Sequence, residues 1–236
     1  MMLKVAAFDL FGLNLTPEQV NSFDLYTQEL SAWNARMNLT AITEPDSVIV
    51  RHYLDSLSVV KAIPLLPGMR VMDVGTGAGF PGLPLHIAIP GLDTTLLEAT
   101  GKKVAFLDHL ISLLGLKDIA GLHGRAEEVA HQPQHRASYD VVLARAVARL
   151  PILLEYLLPF AKIGGYCIAM KGATAAQELE DSAAALATLG GRLHALESIT
   201  LPGVTDTHYL VVIEKIAKTP WQYPRSAGLP VKNPLM

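Results

Sequence analysis

Residues 69–82 read Met-Arg-Val-Met-Asp-Val-Gly-Thr-Gly-Ala-Gly-Phe-Pro-Gly, and no other stretch limits the possible folds as strongly. A short apolar strand ends at Asp73 and Val74, then Gly75, Gly77, Gly79 and Gly82 follow, and Pro81 falls in what reads as the first turn of a helix. Glycines serve a backbone that must turn tightly without a Cβ and let a ligand lie against main-chain N–H groups, with the positive end of a helix dipole behind it. A loop without a ligand has no use for them at this density, since each costs conformational entropy.

Two ligand classes use such a turn. Gly77, Gly79 and Gly82 spell G-x-G-x-x-G, the fingerprint of a pyrophosphate-binding dinucleotide fold. Asp73, directly before the glycines, gives Asp-Val-Gly-Thr-Gly-Ala-Gly, which resembles the acidic turn of S-adenosylmethionine-dependent methyltransferases, whose ligand carries no phosphate. Phe80 and Pro81 make the turn stiffer and more apolar than pyrophosphate needs, so the methyltransferase reading is favoured and a nicotinamide-dependent oxidoreductase is the alternative.

Around this turn, strands and helices alternate after an all-helical start. Thr16-Pro17-Glu18-Gln19 reads as a capping box, and Val20, Phe23, Tyr26, Leu30 and Trp33 keep helical spacing to about Asn34. A second helix is expected over 46–62, ended by Pro64 and Pro67-Gly68. Strands are expected at 69–74, 94–98, 119–123, 139–144 and 164–171. Helices lie between them, an alanine-rich helix covers 174–189, and a closing pair of strands at 192–200 and 207–215 can form a hairpin. The expected fold is α/β, a doubly wound, mostly parallel, Rossmann-like sheet with a terminal antiparallel hairpin. Its divisions are a helical extension over 1–66, the catalytic domain over 67–216 and a basic tail over 217–236.

Composition narrows the setting. With 236 residues the chain can bury a full core. The one cysteine, Cys167, excludes internal disulfides and fits a reducing cytoplasm; its apolar neighbours read as a buried strand. Residues 1–10 do not read as a secretory signal, and no apolar stretch reaches membrane-spanning length. A net charge of −3 gives no general nucleic-acid footprint, yet after Glu214 there is no acidic residue, while Lys215, Lys218, Arg225 and Lys232 are basic, with Trp221 and Tyr223 interleaved. Taken alone, that tail reads as a solvated surface segment.

In open α/β sheets ligands sit beyond the carboxyl ends of the strands, which converges the glycine turn, Glu98, Ala126 with Glu127, and Arg145 on one crevice. Glu98 is placed to accept both hydroxyls of a ribose. The loop after the fourth strand, Ala144-Arg145-Ala146-Val147, lacks the Pro-Pro-aromatic motif of amine methylation and a cysteine for pyrimidine carbon. An acceptor exposing a lone pair, such as guanine N7, needs neither. His52 and Asp55, three apart, read as surface or satisfied packing residues rather than as a metal or catalytic pair, and no metal-site spacing appears.

Trp33-Asn34-Ala-Arg36-Met-Asn38-Leu39-Thr40, Arg51-His52-Tyr-Leu-Asp55-Ser56-Leu57, the glycine turn, Gly124-Arg125-Ala126-Glu127, Ala144-Arg145-Ala146-Val147, Lys171-Gly172 and Tyr223-Pro224-Arg225-Ser226-Ala227-Gly228 together resemble the bacterial 16S ribosomal RNA guanine-N7 methyltransferase family, also called glucose-inhibited division protein B. The resemblance runs from about residue 31 to 235. It implies a class I enzyme that moves a methyl group from S-adenosylmethionine to N7 of a guanine in the 530 loop of 16S rRNA, on naked RNA or the 30S subunit. By the family pattern Gly75, Phe80, Ala126, Glu127 and Arg145 face the cofactor, Arg145 being open to the RNA as well; Gly77, Gly79 and Glu98 join them from the residue reading, and a cytoplasmic monomer without metal is expected. Arg36, Asn38, Lys171, Arg225 and Lys232 would face RNA, which turns the tail into phosphate contacts. Two departures stand out: Glu98-Ala99-Thr100 replaces an acid-serine pairing, and Ser226 stands where the family often has lysine. A non-catalytic cofactor-binding module of ribosome assembly is the remaining alternative.

Overall fold

Thr16 opens the longest helix of the chain. Its side chain accepts from Gln19 N, the Gln19 side chain accepts from Thr16 N at 2.8 Å, and Pro17 occupies the first turn of α2, Pro17–Met37. The Gln19 amide also donates to the carbonyls of Ile87 and Ala88, tying this cap to the end of α5, Gly82–Ala88. The computed structural model describes residues 2–236. Ahead of α2 lies α1, Met2–Phe11, for which the sequence gives no signal, since it has neither a capping residue nor a polar face.

The helix expected over 46–62 is present but changes its winding three times. α3, Pro45–Val48, passes into a π-helical turn, Ile49–Leu54, then α4, Asp55–Leu57, and a 3-10 turn, Ser58–Lys61. The alanine-rich helix expected over 174–189 is two, α9, Ala175–Glu180, and α10, Ala183–Leu189. Between them the Ser182 hydroxyl donates to Glu178 O at 2.6 Å, a side-chain bond of the kind that competes with the backbone ladder.

Seven strands form one sheet in the order β3-β2-β1-β4-β5-β7-β6. Five run parallel: β1, Arg70–Val74; β2, Asp93–Glu98; β3, Ile119–His123; β4, Tyr139–Arg145; and β5, Ala161–Lys171. β6, Gly191–Ile199, and β7, His208–Lys215, pair antiparallel as the sequence suggests. β7 also inserts against β5, with Lys171 opposite Tyr209. That insertion brings the start of β7 to the end where the parallel strands finish.

Both faces of the sheet are covered. Along β4, Val141 and Leu143 join the core shared with α1, α2 and α5, while Val142 and Ala144 join the core under α8, Leu150–Leu157, and α10. The strand order reverses between β1 and β4, so the switch point of the sheet lies directly at the glycine turn.

Gly79 shows how tightly that turn is built. Its φ is +104°, and a Cβ there would lie 2.6 Å from the Tyr26 hydroxyl, which donates to Ala78 O at 2.5 Å. Gly79→Ala is therefore expected to cost about 1–3 kcal/mol. Thermal melting checks this: a drop of roughly 2–4 °C per kcal/mol is expected, and an unchanged midpoint contradicts it.

Candidate active site

The glycine turn consumes its own amides. Gly75 N and Thr76 N donate to Leu97 O, Gly79 N and Phe80 N to Thr76 O, Gly82 N to the Asp73 carboxylate, and Gly77 N to Glu98 Oε2 at 3.0 Å. Asp73, fully buried, also accepts from the Thr76 hydroxyl at 2.6 Å, and burial pushes its carboxyl up to about 6. Its Oδ1 is the one buried side-chain polar atom without a partner among the described residues. Asp73 thus braces the loop from beneath. Pro81 stands at the N-cap, one residue before the helix that starts at Gly82, rather than in its first turn.

Glu98 ends β2 beside the turn. Its other oxygen accepts from Thr100 N at 2.8 Å, so two of about four lone-pair positions remain for a diol. A Cβ on Gly77 would meet nothing within 4 Å, which leaves open space alongside this carboxylate. Ala126 is buried at the head of α7, Ala126–Val129, with Glu127 half-buried next to it. A pyrophosphate would find no array of free amides here and an anion already on Gly77. A ligand with a ribose and a positive charge suits these acceptors.

Phe80 turns inward. Its ring stacks on Tyr26 at 5.3 Å and on His52 at 4.3 Å, and the Arg145 guanidinium lies 5.0 Å from its centroid. The ring thus packs against His52 and Arg145, which line a cavity of about 480 Å³ beyond the ends of β4 and β5. Arg51, His52, Asp55, Arg145, Lys171 and His208 line that cavity. The Arg145 guanidinium donates to Asp55 Oδ2 at 3.0 Å, to Arg51 O at 2.9 Å and toward His52 Nδ1 at 3.1 Å. Irregular winding of the π turn accompanies this arrangement, since Arg51 and His52 both lie on it. After Arg145 the chain passes through Ala146 at φ +56°, a strained conformation for a residue with a Cβ.

Every acid and imidazole lining the cavity has a partner. His52 Nδ1 faces a guanidinium that only donates, so Nε2 carries the proton toward Thr40 Oγ1 at 2.8 Å. Burial and the Arg145 charge push its pKa down to about 4. Asp55 Oδ1 pairs with His208 Nδ1 at 2.9 Å, and Glu178 accepts from Lys171 Nζ at 2.7 Å, from Thr174 and from Leu150 N. Among the described residues no group of three or more His, Cys, Asp or Glu side chains could hold a metal ion. The spacing of His52 and Asp55 fitted either the surface or satisfied packing; both are buried and bonded. It could not indicate the cavity, which exists because β7 carries His208 to them across 153 residues of chain.

The hydrogen bond that His208 donates to Asp55 raises the His208 pKa above its ordinary value. A base raised in the folded state contributes stability that is complete below its ordinary value and is lost as pH rises through the folded value. Melting temperature should therefore decline above about pH 6.5, and Asp55→Asn should flatten that decline. An identical slope in the variant contradicts the pairing.

Of the residues expected to face RNA, Arg36 and Asn38 are exposed at the end of α2, where Asn38 is the left-handed C-cap. Lys171 lines the cavity, held by Glu178 and Ala148 O. Lys232 is exposed on α11, Leu229–Lys232. Arg225 departs from the expectation. Its Nε and Nη2 grip both oxygens of Glu155 at 2.6–3.2 Å, its backbone N adds a bond at 2.7 Å, and Glu155 is completely buried. A buried carboxylate needs a cation, so Arg225 is drawn inward instead of toward a phosphate.

The sheet order, the acidic glycine turn and Glu98 define a class I S-adenosylmethionine-dependent methyltransferase fold. Solved structures agree: TrmN from Thermus thermophilus superposes with a TM-score of 0.53 at 20% identity over 71% of this chain and 53% of its own. A SAM-dependent methyltransferase from Aquifex aeolicus gives 0.53 at 19% over 72% and 94%. Residues 19–205 match the family model "GidB: rRNA small subunit methyltransferase G". Proteins named ribosomal RNA small subunit methyltransferase G are 46% identical over 235 residues in Alkaliphilus metalliredigens, covering 100% of this chain and 98% of the relative. In Roseiflexus castenholzii the figure is 47% over 226 residues, 96% of each. The chain belongs to this GidB family.

Proposed function

We propose that this protein transfers the methyl group of S-adenosylmethionine to N7 of a guanine in the 530 loop of 16S ribosomal RNA. The observation that carries the acceptor chemistry is a cavity, linked to the glycine turn through Phe80 packed on His52 and Arg145, in which no base is left unengaged. Guanine N7 offers an in-plane lone pair and loses no proton on methylation, so alignment and electrostatics suffice.

In this reading Glu98 holds the ribose, Gly75, Gly77 and Gly79 let the cofactor approach the backbone, and Ala126 and Glu127 border its base. Bound there, the cofactor supplies an electrophilic methyl on a sulfonium. Arg145, fixed by Asp55, Arg51 O and His52, marks the passage between cofactor and acceptor. Lys171, Arg36, Asn38 and Lys232 contact the RNA, and the segments 1–66 and 217–236 frame the acceptor around the domain over 67–216.

An oxidoreductase reading lacks support, because the amides that pyrophosphate would need are spent within the turn. No helix is long and apolar enough to cross a membrane among the described residues. Incubation of unmethylated 30S subunits with labelled S-adenosylmethionine tests the proposal: label should enter 16S rRNA. Calorimetry should show S-adenosylhomocysteine binding and no binding of NAD; cofactor binding without transfer to RNA would instead favour a non-catalytic assembly module.

A further inference from the structure

The opposite pole of the sheet, where β4 and β5 begin and β7 ends, carries a second hollow of about 800 Å³ that plays no part in the methyl-transfer site. Pro159, Ala161 and Ile163 give it an apolar side, and Arg136, Lys215 and Lys218 its charge, with no acid among its described lining residues. Trp221 stands at its edge, 64% exposed. An exposed indole is costly to leave in water, and this one has two side-chain neighbours. The Arg136 guanidinium lies 4.7 Å from its ring centroid, and His131 meets its ring edge-on at 5.4 Å.

The cations differ in what they can do. Lys215 is buried and spends its three protons on Leu158 O, Leu189 O and the Thr219 hydroxyl, so it closes the floor. Arg136 donates to four backbone carbonyls, of Ala130, Thr219, Pro220 and Tyr223, and has no carboxylate partner. Its full charge therefore stays at the hollow, screened only by neutral dipoles. Lys218 is exposed and can move. An exposed aromatic face, an unneutralised guanidinium behind it and a mobile lysine at the rim are what a single-stranded nucleic acid binds, its base stacking on the ring and its phosphate meeting the amine.

We propose that the Trp221 hollow is a second RNA-binding site, which takes an unpaired nucleotide of the substrate RNA at the pole opposite the methyl-transfer cavity. The inference rests on the RNA-methyltransferase reading above. It assigns to the tail a stacking contact in place of the phosphate contact that Arg225 does not make. An acidic protein segment would satisfy the lysine but has no use for the indole, and its binding is an outcome of the test.

Trp33 and Trp221 are the only tryptophans, so Trp33→Phe leaves a single reporter at the hollow. Titration with a short mixed-sequence oligoribonucleotide should quench Trp221 fluorescence saturably, whereas polyphosphate and poly-glutamate should not. Trp221→Ala should weaken oligoribonucleotide binding roughly fivefold or more, with Trp221→Phe recovering part of the loss. Lys218→Glu should lower the salt slope by about 0.7 or more. Melting curves and S-adenosylhomocysteine affinity should stay close to the parent in Lys218→Glu, which lies on the exposed rim. Absence of saturable quenching, equal quenching by poly-glutamate, or full RNA affinity in both Trp221→Ala and Lys218→Glu would overturn the proposal. If the parent protein methylates 30S subunits while these results appear, the second site fails and the enzymatic reading stands; if it transfers no methyl to RNA, the enzymatic reading fails first.

Discussion

Glu98→Ala is expected to weaken S-adenosylhomocysteine binding by about 2–4 kcal/mol, roughly thirtyfold to several hundredfold. The carboxylate is held by Gly77 N at 3.0 Å and Thr100 N at 2.8 Å, which fixes it without exhausting its acceptors. Hydroxyl donors to this buried carboxylate form charge-assisted bonds, stronger than neutral ones by about twofold. Removal also frees the Gly77 amide, so part of the loss passes through the turn itself. Glu98→Gln separates the two contributions, because it keeps the bulk and one acceptor but loses the charge. Calorimetry on variants shown to be folded by melting measures the effect, and an unchanged dissociation constant removes Glu98 from the cofactor site.

Arg225→Ala should destabilise the protein by about 3 kcal/mol and lower its melting temperature by roughly 6–12 °C. Glu155 lies inside α8 with no exposed surface, and Arg225 supplies it with three side-chain bonds and a backbone bond. Taking the cation away leaves a buried, uncompensated charge, which costs far more than loss of a surface pair. The salt dependence of RNA binding should hardly change. Lys232→Ala should do the reverse, keeping the melting temperature and flattening the slope by about 0.7–0.9. A melting curve like the parent's together with a flatter slope in Arg225→Ala would return Arg225 to the RNA.

These two variants also mark the border of what the sequence discloses. Local signals were enough for the strands, the capping box at Thr16 and the glycine turn, because each is written in neighbouring residues: alternating apolar runs, an N-cap with its partner three residues on, glycines at positive φ. The alternation of strands with helices pointed to a doubly wound sheet, and to the carboxyl ends of its strands as the pole of Glu98 and Arg145. Pairings across long stretches of chain carry no periodicity. Arg225 finds Glu155 across 70 residues, and His208 reaches Asp55 only because β7 slips between β5 and β6. The π turn is equally silent in sequence, since no proline or glycine stands within Ile49–Leu54 to announce it. For the same reason the spacing of His52 and Asp55 discloses neither their burial nor the cavity that their partners complete.

The most direct test of the account is to expose unmethylated 30S subunits to the enzyme and S-adenosylmethionine, then treat the extracted 16S rRNA with borohydride and aniline. Methylation at N7 leaves a cationic guanine that this chemistry converts into a strand break. The account predicts one new break, at a guanine of the 530 loop, which depends on both enzyme and cofactor. Methyl incorporation without a break at that loop would contradict it.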